Sequence, residues 1–328
     1  MSRSAGSTPP SPFHAGEQTL QAHAGVRERM EAVGRVAVRD HMPDQHRELF
    51  GKLPTLLVAA QDDAGQPWVT MLEGDPGFVS TPDARTLRIA RRIAEDDPVL
   101  PGIFVGAPIG VLGLEPHTRR RNRVNGTVRA FDGNMLEMSV RQSFGNCPKY
   151  IHARSPQRVE RAQRPPALRL GPALNPAAIG LLRRADTLFV GSASAARMDA
   201  SGDADRTQGV DVSHRGGRSG FLDVDAVPRA DGQIRVRLTM PDYIGNFFFN
   251  TLGNLLAWPK AGLLVPDYEG GGLLHLAADA SIALDGERLE KFPGALRLLQ
   301  LDVRAAWWRD AVLPVRWTAP AAPPQFAP

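Results

Sequence analysis

From Leu53 onward the apolar residues come in short runs cut by Gly, Pro and Asp, and the series of runs occurs twice. Leu56-Leu57-Val58-Ala59-Ala60, the turn Asp62-Asp63-Ala64-Gly65, and Trp68-Val69-Thr70-Met71-Leu72 make a β-hairpin pattern, two strand-like runs around a turn that carries Gly. Further strands are expected at 87–89, 109–114, 122–128 and 136–140. A second series follows the Arg- and Pro-rich stretch 158–172, with strands expected at 187–191, 210–214, 221–224, 234–239, 263–266 and 273–282. Asp75-Pro76-Gly77-Phe78-Val79 matches Arg218-Ser219-Gly220-Phe221-Leu222, and residues 107–114 match 258–265. Each series holds about six short strands, enough for a small closed barrel that leaves no free edge. A helix is expected over 247–256, ended by Trp258-Pro259.

The chain therefore divides into a tail and helical extension (1–50), a first barrel (51–157), a linker (158–172), a second barrel (173–318) and a Pro-rich tail (319–328), the two tails being expected to be disordered. Within the extension, residues 17–50 are charge-rich and spaced for helix, with a break and new start at Met42-Pro43-Asp44. The 32 Gly and 28 Pro among 328 residues exceed the usual ~12%, which favours many short strands joined by turns. A net charge of +4 arises from dispersed Arg and suits an anionic ligand, whereas nucleic-acid binding lacks the aromatic interleaving it needs. Cys147 is the only cysteine, so no internal disulfide forms and a reducing, cytoplasmic setting is expected. No 18-residue apolar run predicts a membrane span, and residues 1–12 show no secretory signal.

The residues with ligand chemistry gather in the second half. Ser213-His214-Arg215-Gly216-Gly217 end a strand with a hydroxyl, an imidazole and a guanidinium, and glycines let backbone approach a ligand closely. Asp242-Tyr243-Ile244-Gly245-Asn246 leads into the expected helix, whose first N–H groups favour an anion. Asn246, Asn250 and Asn254 recur every four residues and share a helix face, and Thr251 adds a hydroxyl. Plain readings stand beside these: a solvated hairpin Arg215, a strand-end His214, an Asn246 that only caps a helix. In the first half Thr70, Met71 and Leu72 stand where Ser213, His214 and Arg215 do, so one site per chain is expected. In Arg119-Arg120-Arg121-Asn122-Arg123, strand alternation puts Arg121 with Arg123 on one face, as the charged edge of a barrel or as ligand-binding cations. No nucleophile–base arrangement and no metal-ligand set is recognisable.

Several stretches in order carry a resemblance. They include Phe13-His14-Ala15-Gly16-Glu17-Gln18, Met42-Pro43-Asp44-Gln45-His46-Arg47-Glu48, Gly74-Asp75-Pro76-Gly77-Phe78, Thr118 through Gly126, and Ser143-Phe144-Gly145-Asn146-Cys147-Pro148-Lys149-Tyr150. In the second half they are Val210 through Gly217 and Pro241 through Leu255. The chain resembles the pyridoxamine 5'-phosphate oxidase-like, FMN-binding split-barrel superfamily, in its large flavin-nucleotide-binding branch with two barrels in one chain. The resemblance implies a mainly β fold of two tandem split barrels, paired as an intramolecular pseudo-dimer or further as a homodimer, with FMN in the cleft between barrels. It implies a flavin-dependent oxidoreductase moving two electrons between FMN and an unidentified small substrate. It also implies that Asn146, Lys149 and Tyr150 reach the flavin, Lys149 against a reduced, anionic ring and Tyr150 by stacking. The alternatives are a non-catalytic flavin carrier or sensor, and a haem-binding split barrel with His214 or His275 as axial ligand.

Overall fold

The computed structural model describes residues 10–145, 147–161, 165–196 and 205–326. The chain is mainly β, with 42% strand against 20% helix. Three helices come first, α1 (Ala15–His23), α2 (Arg27–Ala37) and α3 (Asp44–Lys52). The third starts directly after Pro43, where the sequence predicts a new start.

The first sheet comprises β1 (Thr55–Gln61), β2 (Pro67–Glu73), β3 (Val79–Asp83), β4 (Thr86–Ile89), β5 (Pro108–Glu115), β6 (Arg120–Phe131) and β7 (Leu136–Gly145), in the order β2-β1-β5-β6-β7-β4-β3. Two short strands, β8 (Pro156–Arg158) and β9 (Leu168–Leu170), and helix α4 (Pro176–Arg184) lead to the second sheet. That sheet holds β10 (Thr187–Ala193), β11 (Val210–Gly216), β12 (Asp223–Pro228), β13 (Ile234–Tyr243), β14 (Lys260–Pro266), β15 (Leu273–Ala283) and β16 (Ala295–Arg309), with α5 (Asn250–Ala257) between β13 and β14. Its order is β11-β10-β14-β15-β16-β13-β12, with β9 added on β16, so β10 to β16 take the places of β1 to β7. β17 (Val315–Trp317) pairs with β8.

The registers agree as well as the order. Val58 faces Thr70 and Val111, while Val190 faces Ser213 and Leu263. A bulge recurs at one place, between Asn125 and Gly126 in β6 and between Ala277 and Ala278 in β15. This register sets Gly110 against Gly262, one residue away from the expected match of 107–114 with 258–265.

The sheets pack face to face, and this explains why β1, β2 and β10 are buried at every residue. Their alternate side chains enter two different cores. Leu56, Val58 and Val111 point into the core of the first sheet, and Leu188, Val190 and Leu263 into that of the second. Leu57, Ala59, Val69 and Met71 meet Phe189, Val212 and Leu264 in a third core between the sheets. Backbones nearly touch there. A Cβ on Gly110 would lie 2.7 Å from the Asp211 Cα, and one on Gly262 would lie 2.9 Å from the Trp68 Cα.

Closed barrels are not formed. Hydrogen bonding ends at β2 and β3 in one sheet and at β11 and β12 in the other. Strand β2 packs on β10, β14 and β15, and β11 on β1, β5 and β6, so the facing sheet covers these strands and closure is not what protects them. Two further expectations change. The 158–172 stretch supplies Arg158 to β8 and all of β9. Residues 319–326 are fastened, with Ala321 and Ala153 exchanging backbone hydrogen bonds of 2.9 Å. Residues 1–9, expected as disordered tail, lie outside the described residues, as do 327 and 328. Among the described residues no helix is long and apolar enough to cross a membrane.

Candidate functional site

Between the two sheets lies a cleft of about 870 Å³, its open mouth included. Strand β6 supplies Arg121 and Arg123, β11 supplies Ser213 to Gly216, β13 supplies Asp242 and Tyr243, and β16 supplies Arg297. The first turn of α5 adds Asn250 and Thr251, and the segment after β7 adds Cys147, Lys149 and Tyr150.

Cations dominate this lining. Arg123 pairs with Asp211 at 3.1 Å and donates to Ser213 Oγ. Asp242 is shared, with Arg215 Nη1 at 2.7 Å and Arg297 Nε at 3.2 Å. Arg121 has no carboxylate partner among the described residues. Its Nε donates to the Cys147 carbonyl at 2.8 Å and its Nη1 to the His214 carbonyl at 3.3 Å. Burial, then the charges of Arg123 and Arg215, push its pKa down to about 9. Among the described residues the buried Nε atoms of Arg123 and Arg215 also lack hydrogen-bond partners. Positive charge in excess of carboxylate, with donors left over, fits a multiply charged anion.

The start of α5 lines the same cleft. Helix α5 begins at Asn250, three residues later than expected, because Phe247 (φ 60°) and Phe249 (φ 63°) are left-handed. Such conformations cost about 1–3 kcal/mol each and need surrounding structure to hold them. The N-terminal helices supply part of it. Gln21 Nε2 donates to the Phe248 carbonyl at 3.3 Å, and the Phe248 ring lies edge-on to Phe13 at 5.2 Å. Helix α1 crosses α5 so closely that a Cβ on Gly16 would lie 2.3 Å from the Gly253 carbonyl oxygen. Thr251 Oγ1 donates to Ser213 Oγ at 2.7 Å, tying the start of α5 to β11.

Of the residues singled out in sequence, Ser213, His214, Arg215, Gly216, Asn246, Asn250, Thr251, Lys149 and Tyr150 come together in the cleft. Asn254 does not; it donates to Ser192 Oγ at 3.1 Å and meets His14 Nε2 at 3.0 Å, joining α1 to β10. Asn146 lies outside the described residues. Arg121 and Arg123 are not the charged edge of a barrel, because β6 runs between β5 and β7. Alternation along the strand put them on one face and left a charged edge and ligand binding both open; Asp242 figured only as part of a lead-in, and Arg297 carried no signal. His214 is 5% exposed and kept neutral, by burial first and then by Arg121 and its other cationic neighbours, with Nε2 unpartnered. His275 is fully buried, its Nδ1 at 2.8 Å from the Val69 carbonyl. Of the two histidines named for the haem alternative, His214 lines the cleft and His275 does not.

The corresponding place in the other half is filled by the chain itself. Thr70 Oγ1 donates to Asp97, which pairs with Arg309, and Arg309 also reaches Asp96 at 3.2 Å. Opposite charges cancel there instead of accumulating.

No family model and no curated protein matches the chain. Among solved structures it is similar to a putative pyridoxamine 5'-phosphate oxidase from Lactobacillus delbrueckii, with 16% identity, 41% of this chain and 93% of that one covered, and a TM-score of 0.27. A FAD-binding protein from Mesorhizobium loti shows 12% identity over 44% of this chain and 98% of its own, with a TM-score of 0.24. MrkH of K. pneumonia in its apo state shows 12% identity, 81% and 84% coverage, and a TM-score of 0.19. At such scores the functional reading rests on the cleft.

Proposed function

We propose that the cleft binds FMN and that the chain is a flavin-dependent oxidoreductase passing two electrons between FMN and a small substrate. The observation that carries the proposal is Arg121, a guanidinium in the cleft without a carboxylate, beside Arg123 and Arg215. A phosphate dianion would supply the missing negative charge, and guanidinium groups bind phosphate through paired N–H donors. Ser213, which accepts from Thr251 and keeps its own hydroxyl proton, and the N–H groups at the start of α5 complete the phosphate set. Asn246 and Asn250 serve the ribityl hydroxyls, and Lys149 and Tyr150 serve the ring. Bound flavin supplies the redox chemistry, while these side chains bind and orient it. Arg215 is thereby a secondary contact, since Asp242 already holds it.

In the same proposal the two sheets are two split barrels of one duplicated chain, related by shared strand order, register and bulge. Their face-to-face packing stands in for a dimer of single barrels, and the setting is a reducing cytoplasm, on the strength of the single Cys147. Among the described residues only one of the two equivalent places between the sheets holds uncompensated cations, so flavin released from saturated protein should amount to one per chain. A ratio near two would remove the argument from the Arg309 pair.

Titration with FMN and riboflavin tests the site. Arg121→Ala should weaken FMN by about 1.5–3 kcal/mol, or roughly 10- to 150-fold, the range for a charge-assisted hydrogen bond. Riboflavin, without phosphate, should lose far less. Equal losses on both ligands would remove the phosphate from Arg121. Flavin bound without turnover on nicotinamide, oxygen or other acceptors would favour a carrier or sensor.

A further inference from the structure

We infer that residues 319–326 belong to the ligand site, and that Phe326 completes, with Tyr150 and Tyr243, an aromatic platform that stacks the planar ring of the bound molecule. The inference rests on the FMN reading for its ligand and goes beyond it in assigning a ring subsite to a Pro-rich segment that sequence marks as a free tail.

Three rings meet at the rim of the cleft. Tyr150 and Tyr243 both line it, with centroids 5.3 Å apart and planes 31° apart. Phe326 lies 5.5 Å from Tyr150 at 36° and 5.8 Å from Tyr243 at 63°. Offset and tilted rings at these separations are the favoured geometry for aromatic contact, and a flat heteroaromatic ring extends such a cluster. Arg121, Arg123 and Arg215 fix where a phosphate goes, which leaves this aromatic rim for the rest of the ligand. Burial raises the pKa of both tyrosines, so their hydroxyls stay protonated, and Tyr150 spends its own on the Ile244 carbonyl at 2.9 Å.

The platform is built, not incidental. Tyr150 sits at φ 67°, a left-handed conformation that few non-glycine residues adopt, and its neighbours hold it there. Arg119 Nε donates to the Ile151 carbonyl at 3.1 Å, His152 Nε2 meets the Gly217 carbonyl at 2.7 Å, and Arg154 pairs with buried Asp186. The other side is fastened with equal care. Ala321 pairs with Ala153, and the Arg119 Nη2 that donates to the Ala322 carbonyl at 3.2 Å belongs to the side chain that already holds Ile151. Phe326 itself lies over His152 at 6.4 Å and 22°, with the Arg218 guanidinium 5.8 Å from its ring. A segment without a task would not need its last described aromatic set against two cleft-lining tyrosines.

The test uses the full chain with FMN and riboflavin as probes. Phe326→Ala should weaken both by the same factor, about 2- to 12-fold, because the ring is common to them. Phe326→Trp should keep the affinity and quench the fluorescence of bound flavin more strongly than Phe, since indole in contact is a better electron donor. Thermal midpoints of the variants should match wild type. Flavin bound equally well by wild type and Phe326→Ala, with no added quenching in Phe326→Trp, overturns the platform and leaves the FMN reading standing. A wild type that binds neither flavin overturns both.

Discussion

Arg309→Ala is expected to lower the free energy of unfolding by about 3–5 kcal/mol, the cost of leaving a buried carboxylate without its partner. Arg309 is 2% exposed and Asp97 3%, so water cannot take over the pairing. Asp97 also accepts from Thr70 Oγ1 and from the Val99 N–H at 3.0 Å, contacts that hold it in place once the guanidinium has gone. The buried pair of the cleft, Arg123 with Asp211, should cost as much to break, for the same reason. The two variants should differ in ligand binding. Arg309→Ala should keep the FMN affinity of wild type once folded, whereas Arg123→Ala should lose it, since Arg123 lines the cleft. Urea unfolding with an unchanged m-value reads the first effect and flavin titration the second. A loss below about 1 kcal/mol for Arg309→Ala would mean that the pair behaves as a surface one and that this half is open to water.

Much of the strand plan was legible because burial leaves a pattern. The β1–β2 hairpin is announced by its turn, where Asp62 Oδ1 accepts from the N–H groups of Ala64 and Gln66 and Gly65 takes φ 76°. The repeat was legible from matching turns, but its register slipped by one residue between β5 and β14. What fixes the register is the contact of Gly110 and Gly262 with the opposite backbone, and that contact spans the two sheets. Barrel closure was over-read for a related reason: strand number does not say whether an edge is covered by another strand or by a facing sheet. Asn246, Asn250 and Asn254 share a face only if all three are helical, and Phe247 and Phe249 end that condition ahead of Asn250. Arg121 and Arg123 show the limit most plainly. Alternation placed them together, yet whether that shared face met solvent or a cleft depends on what β11 brings opposite, and no local signal carries it.

The N-terminal helices reach the cleft through a buried polar chain, and Glu17 is where it should respond to pH. Glu17 is 3% exposed; it accepts from the His14 N–H at 2.8 Å and from Asn250 Nδ2, and Asn250 lines the cleft. Burial pushes its pKa up to about 8 against an ordinary 4.5, the hydrogen bonds and Arg123 opposing the rise and Asp211 adding to it. His14, beside it, is lowered by burial and so is uncharged above neutral pH. Between pH 4.5 and 8 the folded chain therefore holds a proton that the unfolded chain has released. Stability from this group must fall as pH rises through that window, and the penalty is complete above pH 8. Glu17→Gln keeps an oxygen for the His14 N–H and cannot ionise. It should unfold with a free energy about 3–5 kcal/mol above wild type at high pH and close to it in acid, the span set by the shift at 1.36 kcal/mol per unit. Arg121, near 9, titrates in both proteins, so the difference between their curves isolates Glu17. Urea unfolding of the two at pH 5 and above pH 8 measures it, and parallel stability curves would show that Glu17 ionises freely and that the polar chain from α1 to the cleft is open to water.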